Sequence, residues 1–435
     1  MSPLKIRLTS AQALLGRLPA VKTYLRVHGL RLTMLRVFDE LLRGRNRGGI
    51  VDANRWLDNN ASEPSLRPRI GAQGLNHPAV AIIGALELHQ CRKYRILQKA
   101  EELAVHGCRT EVSSYFDVSR CFDVLQLATA VIFYRVPDGE LFRAYVDEAE
   151  RLGLPIAYDI DDPLFCKTVY TTNANLKTLS VAERTQLVND CDHYLAAMKR
   201  CDAAIVSTPG MVAVAGPYLG GKPVYLWRNA IDAETRSICR DVIDSGTPRQ
   251  DDLLRIGYMS GSRAHDLDFQ VICGALVKTL ADHPNVQLVI AGHSSIPEPL
   301  QAFGPRIQVR PFSNYRGYFQ TLSDVDIVVI PLLGDPFNAC KSAIRYLEAA
   351  MMQRPCVVST VGDFLNIVEH GRTGYLAESE ADWISNLSDL IESADRRTRM
   401  GAAAREAVFA RQTSDAIAAT LDPALLQMFK GAAHV

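Results

Sequence analysis

Apolar and polar positions along the chain follow different rhythms in different parts. Tyr24-Leu25, Leu30, Leu32, Leu35, Val37-Phe38 and Leu41-Leu42 recur at mixed three- and four-residue steps with arginines between them, which is the pattern of an amphipathic helix. Residues 43–76, with Gly48-Gly49, Asn59-Asn60, Pro64 and Pro68, read as a linker. From His77 the pattern changes to short β-branched runs at 79–83, 110–112, 130–134, 155–158, 203–206 and 224–227. Helical stretches over about 94–106, 139–152 and 181–199 separate them. Strands spaced in this way predict βαβ units and a parallel sheet. The polar stretch from Arg240 to Asp252 breaks the alternation. It restarts with runs at 254–258, 287–290, 307–309, 326–330 and 356–358, and helical patterns over 266–283 and 340–353. The predicted class is α/β, with two Rossmann-like parallel-sheet domains over 77–235 and 250–412 facing across a cleft and a helical extension over 1–76. Ligands of such sheets bind beyond the carboxyl ends of the strands.

Charge changes the picture only locally. The 435 residues carry 48 Lys+Arg against 48 Asp+Glu, which argues against a nucleic-acid binder that spreads positive charge over its whole surface. Residues 1–76 hold thirteen of the Lys/Arg and five of the acids, an excess of eight positive charges. Such a segment suits peripheral contact with an anionic membrane. A helix packed on the main body with solvated arginines is the plainer reading. No apolar run is long enough to read as a membrane span, and the first residues lack the basic-then-apolar pattern of a signal peptide. The ten cysteines include no Cys-x-x-Cys pair, so a zinc site of ordinary spacing is unsupported and a reduced, cytoplasmic setting is expected.

Three segments carry candidate chemistry. Asp159, Asp161 and Asp162 close a predicted strand, and clustered carboxylates there repel one another unless a cation, a donor or a raised pKa relieves them. A helix cap before Pro163 and a divalent-metal site are the alternatives on spacing alone. Gly257 to Asp266 joins a strand to a helix. In it Gly261 and Ser262 permit close approach, and Arg263 with His265 supplies donors for phosphate. A tight turn capped by Asp266 is the structural alternative. Between Pro331 and Glu348 a buried strand ends, and Lys341, Arg345 and Glu348 fall on one face of a predicted helix. Two cations and a carboxylate there suit a diphosphate and a hydroxylated ring, although a surface ion-pair ladder has the same spacing. The stretch Glu369-His370-Gly371 to Leu376 reads as a helix end with a glycine turn into a strand.

Lys341-Ser342 to Glu348, then Ala349-Ala350 and Arg354-Pro355-Cys356-Val357-Val358-Ser359, resembles the donor-binding segment of GT-B glycosyltransferases of the retaining family-4-like kind. Gly371-x-x-Gly374-Tyr375-Leu376 is similar to the turn that follows it, and Gly257 to Asp268 to their diphosphate-side loop. Cys91-x-x-Tyr94-Arg95, Arg135-Val136-Pro137 and Tyr158 to Asp162 resemble N-terminal domains of bacterial polysaccharide-building members. The resemblance covers about residues 78–415 and is most specific in the second domain.

What it implies is transfer of a sugar from a nucleotide-diphosphate sugar, as co-substrate, to a glycan or lipid-linked acceptor in cell-surface polysaccharide synthesis. No bound metal or other cofactor and no nucleic-acid partner is implied. Glu348 matches the family acid that contacts the donor's ribose, and Arg263 and Lys341 would neutralise the diphosphate. Ser342, Arg345 and the loop residues Gly261, Ser262 and His265 join the donor side; Tyr94, Arg95 and Arg135 join the acceptor side, with Tyr94 and Arg95 in the loop after the first strand. Asp161 or Asp162, with Asp159 beside them, is the expected acceptor base. The family's Glu-x7-Glu pattern is broken, because Cys340 stands where the first carboxylate belongs. Asn338, Asp335 or backbone N–H groups would then hold the sugar. A helix within 413–435 is expected to cross back to the first domain. A nucleotide-sugar epimerase or hydrolase, or a non-catalytic sugar-nucleotide-binding scaffold, are the competing readings.

Overall fold

A computed structural model describes residues 78–430 except 87–88, 247–248, 250, 261–265, 293–295 and 312. The chain divides into two units, Met1–Arg69 and Ile70–Val435, and every described residue lies in the second. The basic extension and linker therefore lie outside the described residues, as do the candidate donor residues Gly261, Ser262, Arg263 and His265.

Two six-stranded sheets form the frame, and every strand pair in them is parallel. The first takes β1 (Ala79–Gly84), β2 (Arg109–Ser114), β3 (Ala130–Tyr134), β4 (Ile156–Asp159), β5 (Ala203–Val206) and β6 (Val224–Leu226). The second takes β7 (Leu254–Ser260), β8 (Val286–Gly292), β9 (Ile307–Arg310), β10 (Ile327–Ile330), β11 (Cys356–Ser359) and β12 (Tyr375–Ala377). Spatial orders are β2-β1-β3-β4-β5-β6 and β12-β11-β10-β7-β8-β9. Central strands β1, β3 and β10 are buried along their whole length, because helices cover both faces of a parallel sheet, and so they read as unbroken apolar runs. Edge strands β2, β6 and β9 are part-exposed.

Local signals explain most helix ends. Ser180 and Glu183 form a capping box that starts helix Val181–Arg200. Gly153, at φ 70°, ends helix Glu140–Leu152 in a left-handed turn that favours glycine. Three helical expectations are corrected. The pattern over 266–283 is two helices, Asp266–Gln270 and Cys273–Asp282. The one over 340–353 begins only at Ile344, after a 3-10 turn at Asn338–Cys340, so Lys341 sits in extended backbone and not on a helical face. The helix expected from Tyr94 starts at His89 and passes through a π-helical segment, Arg92–Leu97, before Gln98–Val105. Tyr94 and Arg95 are therefore helical and not in a loop.

The chain crosses between the domains twice. Helix Ala233–Asp244 follows β6, yet Cys239 and Val242 pack with Phe319, Tyr346 and Val408 of the second domain. Near the other end, helices Ser414–Ala419 and Pro423–Lys430 return Ile417, Leu421, Leu425 and Phe429 to the first domain's core beside Val80, Ile132 and Trp227. The crossing segments are bonded to each other, with Ile231 N–H donating to the Gln412 carbonyl at 2.8 Å and Ser414 N–H to the Ile231 carbonyl at 3.1 Å.

Candidate active site

The carboxyl edges of the two sheets meet, and polar side chains collect between them. At the end of β4 the three aspartates take different surroundings. Asp159 is fully buried and pairs with the equally buried Arg95, whose Nη2 lies 2.6 Å from Asp159 Oδ1. Arg95 Nη1 also donates to the Trp227 carbonyl at 2.8 Å and to Asn229 Oδ1 at 3.0 Å. Neither Arg95 nor Asp159 has an exposed surface to offer an acceptor, which corrects their expected placement at the cleft. A charge so deep needs an opposite charge, and each supplies the other's. Burial pushes the Asp159 carboxyl up, and Arg95 only partly offsets this.

Asp161 and Asp162 are part-exposed and share Arg135. Its Nε donates to Asp161 Oδ1 at 2.7 Å, its Nη2 donates to Asp162 Oδ2, and the Tyr134 hydroxyl donates to Asp161 Oδ1 at 3.0 Å. Repulsion between the acids is thus relieved by a guanidinium. Arg135 has φ 50°, a left-handed backbone costly for a non-glycine residue and concentrated at functional sites. On the opposite edge Lys341 Nζ donates to Asp162 Oδ1 at 2.8 Å and lies 4.6 Å from the centre of the Phe337 ring. Burial alone would raise Asp162, but Lys341 and Arg135 outweigh it and hold this carboxyl well below the usual carboxylate range.

Helix Ile344–Met351 places Arg345 and Glu348 three residues apart. Glu348 is buried, and phenols surround it: Tyr94 and Tyr315 donate to Oε1, the latter at 3.3 Å, and Tyr318 donates to Oε2 at 2.8 Å. Tyr94 comes from the first domain's π-helical segment, and Tyr315 and Tyr318 from helix Tyr315–Ser323 of the second. Burial pushes all the phenols well above their ordinary range, and the Glu348 charge pushes them the same way, so they stay protonated and donate. Burial also raises Glu348, while the phenols pull it down. Arg345 Nη1 is buried without a hydrogen-bond partner among the described residues.

The structure therefore brings Lys341, Arg345 and Glu348 to one edge and Tyr94, Arg135, Asp161 and Asp162 to the facing one. Ser342 is part of the same seam, its Oγ accepting from Asn229 Nδ2 at 3.1 Å. Asn338 is not free to hold a sugar. Its Nδ2 donates to Asp268 Oδ1 at 3.0 Å and to the Leu333 carbonyl at 3.2 Å, which ties its own loop together. Cys340 is buried, and its carbonyl accepts from Thr208 Oγ1 of the first domain at 2.9 Å. Reading the sequence missed Tyr315 and Tyr318, whose three-residue spacing is their only signal, and the seam pair Arg228–Asp363.

Residues 251–393, which contain all six strands of the second sheet, match the family described as Glycosyl transferases group 1. No curated protein sequence matches the chain. Among solved structures, a glycosyltransferase from Rickettsia africae aligns with a TM-score of 0.55 at 10% identity, over 82% of this chain and 98% of its own. Sucrose-phosphate synthase from Thermosynechococcus elongatus aligns at 0.53 and 14% identity, over 79% and 96%. Anabaena HepE, solved in complex with UDP, aligns at 0.53 and 12% identity, over 79% and 97%. These likenesses show the fold, which is GT-B.

Proposed function

We propose, from a second domain with the group 1 glycosyltransferase sequence and a GT-B frame, that the chain transfers a glycosyl group from a nucleotide-diphosphate sugar to a hydroxyl of a glycan or lipid-linked acceptor. The setting proposed is cell-surface polysaccharide synthesis at the cytoplasmic face of a membrane, with residues 1–76 as a peripheral contact and no metal in the reaction.

One observation carries this reading. Lys341, Arg345 and Glu348 lie in a single strand–loop–helix segment beyond β10, facing Arg135 and Asp162 beyond β3 and β4. As the glycosidic bond breaks, negative charge grows on the leaving diphosphate. Cations fixed in a closed, water-poor seam stabilise that charge without having to reorganise. Lys341 and the unspent donor of Arg345 are those cations here. Glu348 is the acceptor for two vicinal hydroxyls such as those of a ribose, because its tyrosines already present hydroxyl donors to both its oxygens. Asp162 is the carboxylate placed to orient or deprotonate the acceptor hydroxyl, and Arg135 holds it in position.

The test is a thermal-shift panel of nucleotide-diphosphate sugars on the full chain, followed by assay of nucleotide release with added glycan and lipid-linked acceptors. At least one donor is expected to raise the melting temperature and be consumed only when an acceptor is present. Stabilisation by none of them would defeat the proposal. Consumption with water as the sole acceptor would point to the hydrolase alternative.

A further inference from the structure

The groups assigned to the donor are already engaged, and the groups engaging them come from the other domain. Glu348 accepts from Tyr94, and Lys341 donates to Asp162. Each contact has the chemistry of the ligand it stands in for: a phenol O–H to a carboxylate in place of a sugar O–H, and a carboxylate oxygen on an ammonium in place of a phosphate oxygen. Neither side would be stranded by exchange. Asp162 keeps Arg135, and Tyr94 keeps the Tyr315 hydroxyl 3.2 Å away. Arg345 Nη1, buried and unpartnered among the described residues, is a further donor waiting beside Glu348.

We propose that Tyr94 and Asp162 form a two-point clasp that closes the domains over the donor side, and that a nucleoside diphosphate binds by displacing both of them. This rests on the donor reading above. The clasp keeps a buried carboxylate and a half-buried ammonium satisfied between turnovers, since unpaired they would be costly. It also ties the two halves of the site together, because Asp162 becomes available to an acceptor only after a diphosphate has taken Lys341. The π-helical segment fits the role. One extra residue per turn at Arg92–Leu97 re-aims side chains relative to an ordinary helix. Here Tyr94 reaches the second domain while its neighbour Arg95 stays in the first domain's core.

Small-angle scattering of the ligand-free full chain and calorimetry with UDP test the clasp in wild type, Tyr94→Phe, Asp162→Asn and the double variant. Both substitutions keep shape: Tyr94→Phe removes the hydroxyl that donates to Glu348, and Asp162→Asn removes the negative charge that pairs with Lys341. The double variant is expected to have a larger radius of gyration without ligand, and to bind UDP about tenfold more tightly, since it no longer gives up charge-assisted bonds on binding. Lys341→Ala, as a control, should also open the clasp but weaken UDP binding. Unchanged scattering together with equal or weaker UDP affinity in the double variant overturns the clasp. If wild type itself takes up no UDP, the donor reading suffers, while the scattering comparison still decides whether Tyr94 and Asp162 hold the domains closed.

Discussion

Two buried carboxylates, Glu348 and Asp159, show how the same functional group takes different surroundings. Glu348 is satisfied by three neutral phenols, partners a ligand can replace. Asp159 is paired through Oδ1 alone with a guanidinium that is itself fixed by the Trp227 carbonyl and Asn229, and its Oδ2 is buried without a hydrogen-bond partner among the described residues; out of reach of a ligand, the pair is a structural anchor. The distinction was only half legible in the sequence. Glu348 stood out because a carboxylate seven residues beyond a lysine and following a buried strand is a recognisable spacing. Asp159 looked equally functional, because nothing in a strand-end Asp-x-Asp-Asp announces an arginine 64 residues earlier. The structural contrast makes a prediction. Glu348→Gln should keep a melting temperature near that of wild type, since the amide oxygen still accepts from the phenols on one side and a phenol oxygen can accept from the amide N–H on the other, yet lose most donor affinity in calorimetry. Glu348→Ala should also cost about 1–3 kcal/mol of stability by leaving the hydroxyls unpaired. Undiminished donor affinity in Glu348→Gln would remove Glu348 from the site.

Helix Gln98–Val105 carries two ionisable groups on its buried face. Lys99 and Glu102 are fully buried, with Lys99 Nζ 4.2 Å from the centre of the Trp227 ring and Glu102 accepting from Trp227 Nε1. Lys99 Nζ and Glu102 Oε1 have no hydrogen-bond partner among the described residues. Burial, with Arg95 adding to it, lowers Lys99 to about 7, and burial raises Glu102 to about 7. Both shifts oppose folding. The Glu102 penalty grows as pH rises from its ordinary 4.5 to 7, and the Lys99 penalty is relieved as pH rises from 7 to its ordinary 10.5. The pair's contribution to stability is therefore least near neutrality. Lys99→Met with Glu102→Gln should make the chain more stable, by about 1–2 kcal/mol at pH 7, with a smaller gain at pH 5 and pH 9 in urea unfolding. A gain independent of pH would show that the pair is not the cause. Strands were legible at this scale because buried parallel strands are continuous apolar runs. The helix breaks near 271 and 343 were not. Where a helix must yield to a loop that meets another domain, tertiary contact overrides local periodicity.

At the scale of the whole chain the seam depends on a close approach that only glycine permits. A side chain on Gly210 would collide with the Ala339 carbonyl across the domain boundary, next to the bond from Thr208 to Cys340. Gly210→Ala should leave both sheets folded and raise hydrogen exchange in the 331–343 segment, while exchange in β10 and β11 stays as in wild type. Equal exchange in 331–343 would show that the domains already part freely. Read as sequence, Cys340 was a missing carboxylate; in the structure its backbone belongs to the interdomain contact, a role invisible without Thr208 at the start of helix Pro209–Ala215. The two-domain frame itself was legible, because it needs only the alternation and the polar break between 240 and 252. The double crossing at Ile231 and Gln412 has a further consequence, for how the protein is made. The first sheet is finished by residues some 300 positions further along the chain: Phe429 lies against Trp227 with ring centres 6.0 Å apart, and the Phe429 carbonyl accepts from Thr129 Oγ1 at 2.6 Å. A chain folding from its N-terminal side can complete its second domain while the face of β1 and β3 still waits for Leu425 and Phe429, so the first domain's core is the one that closes last.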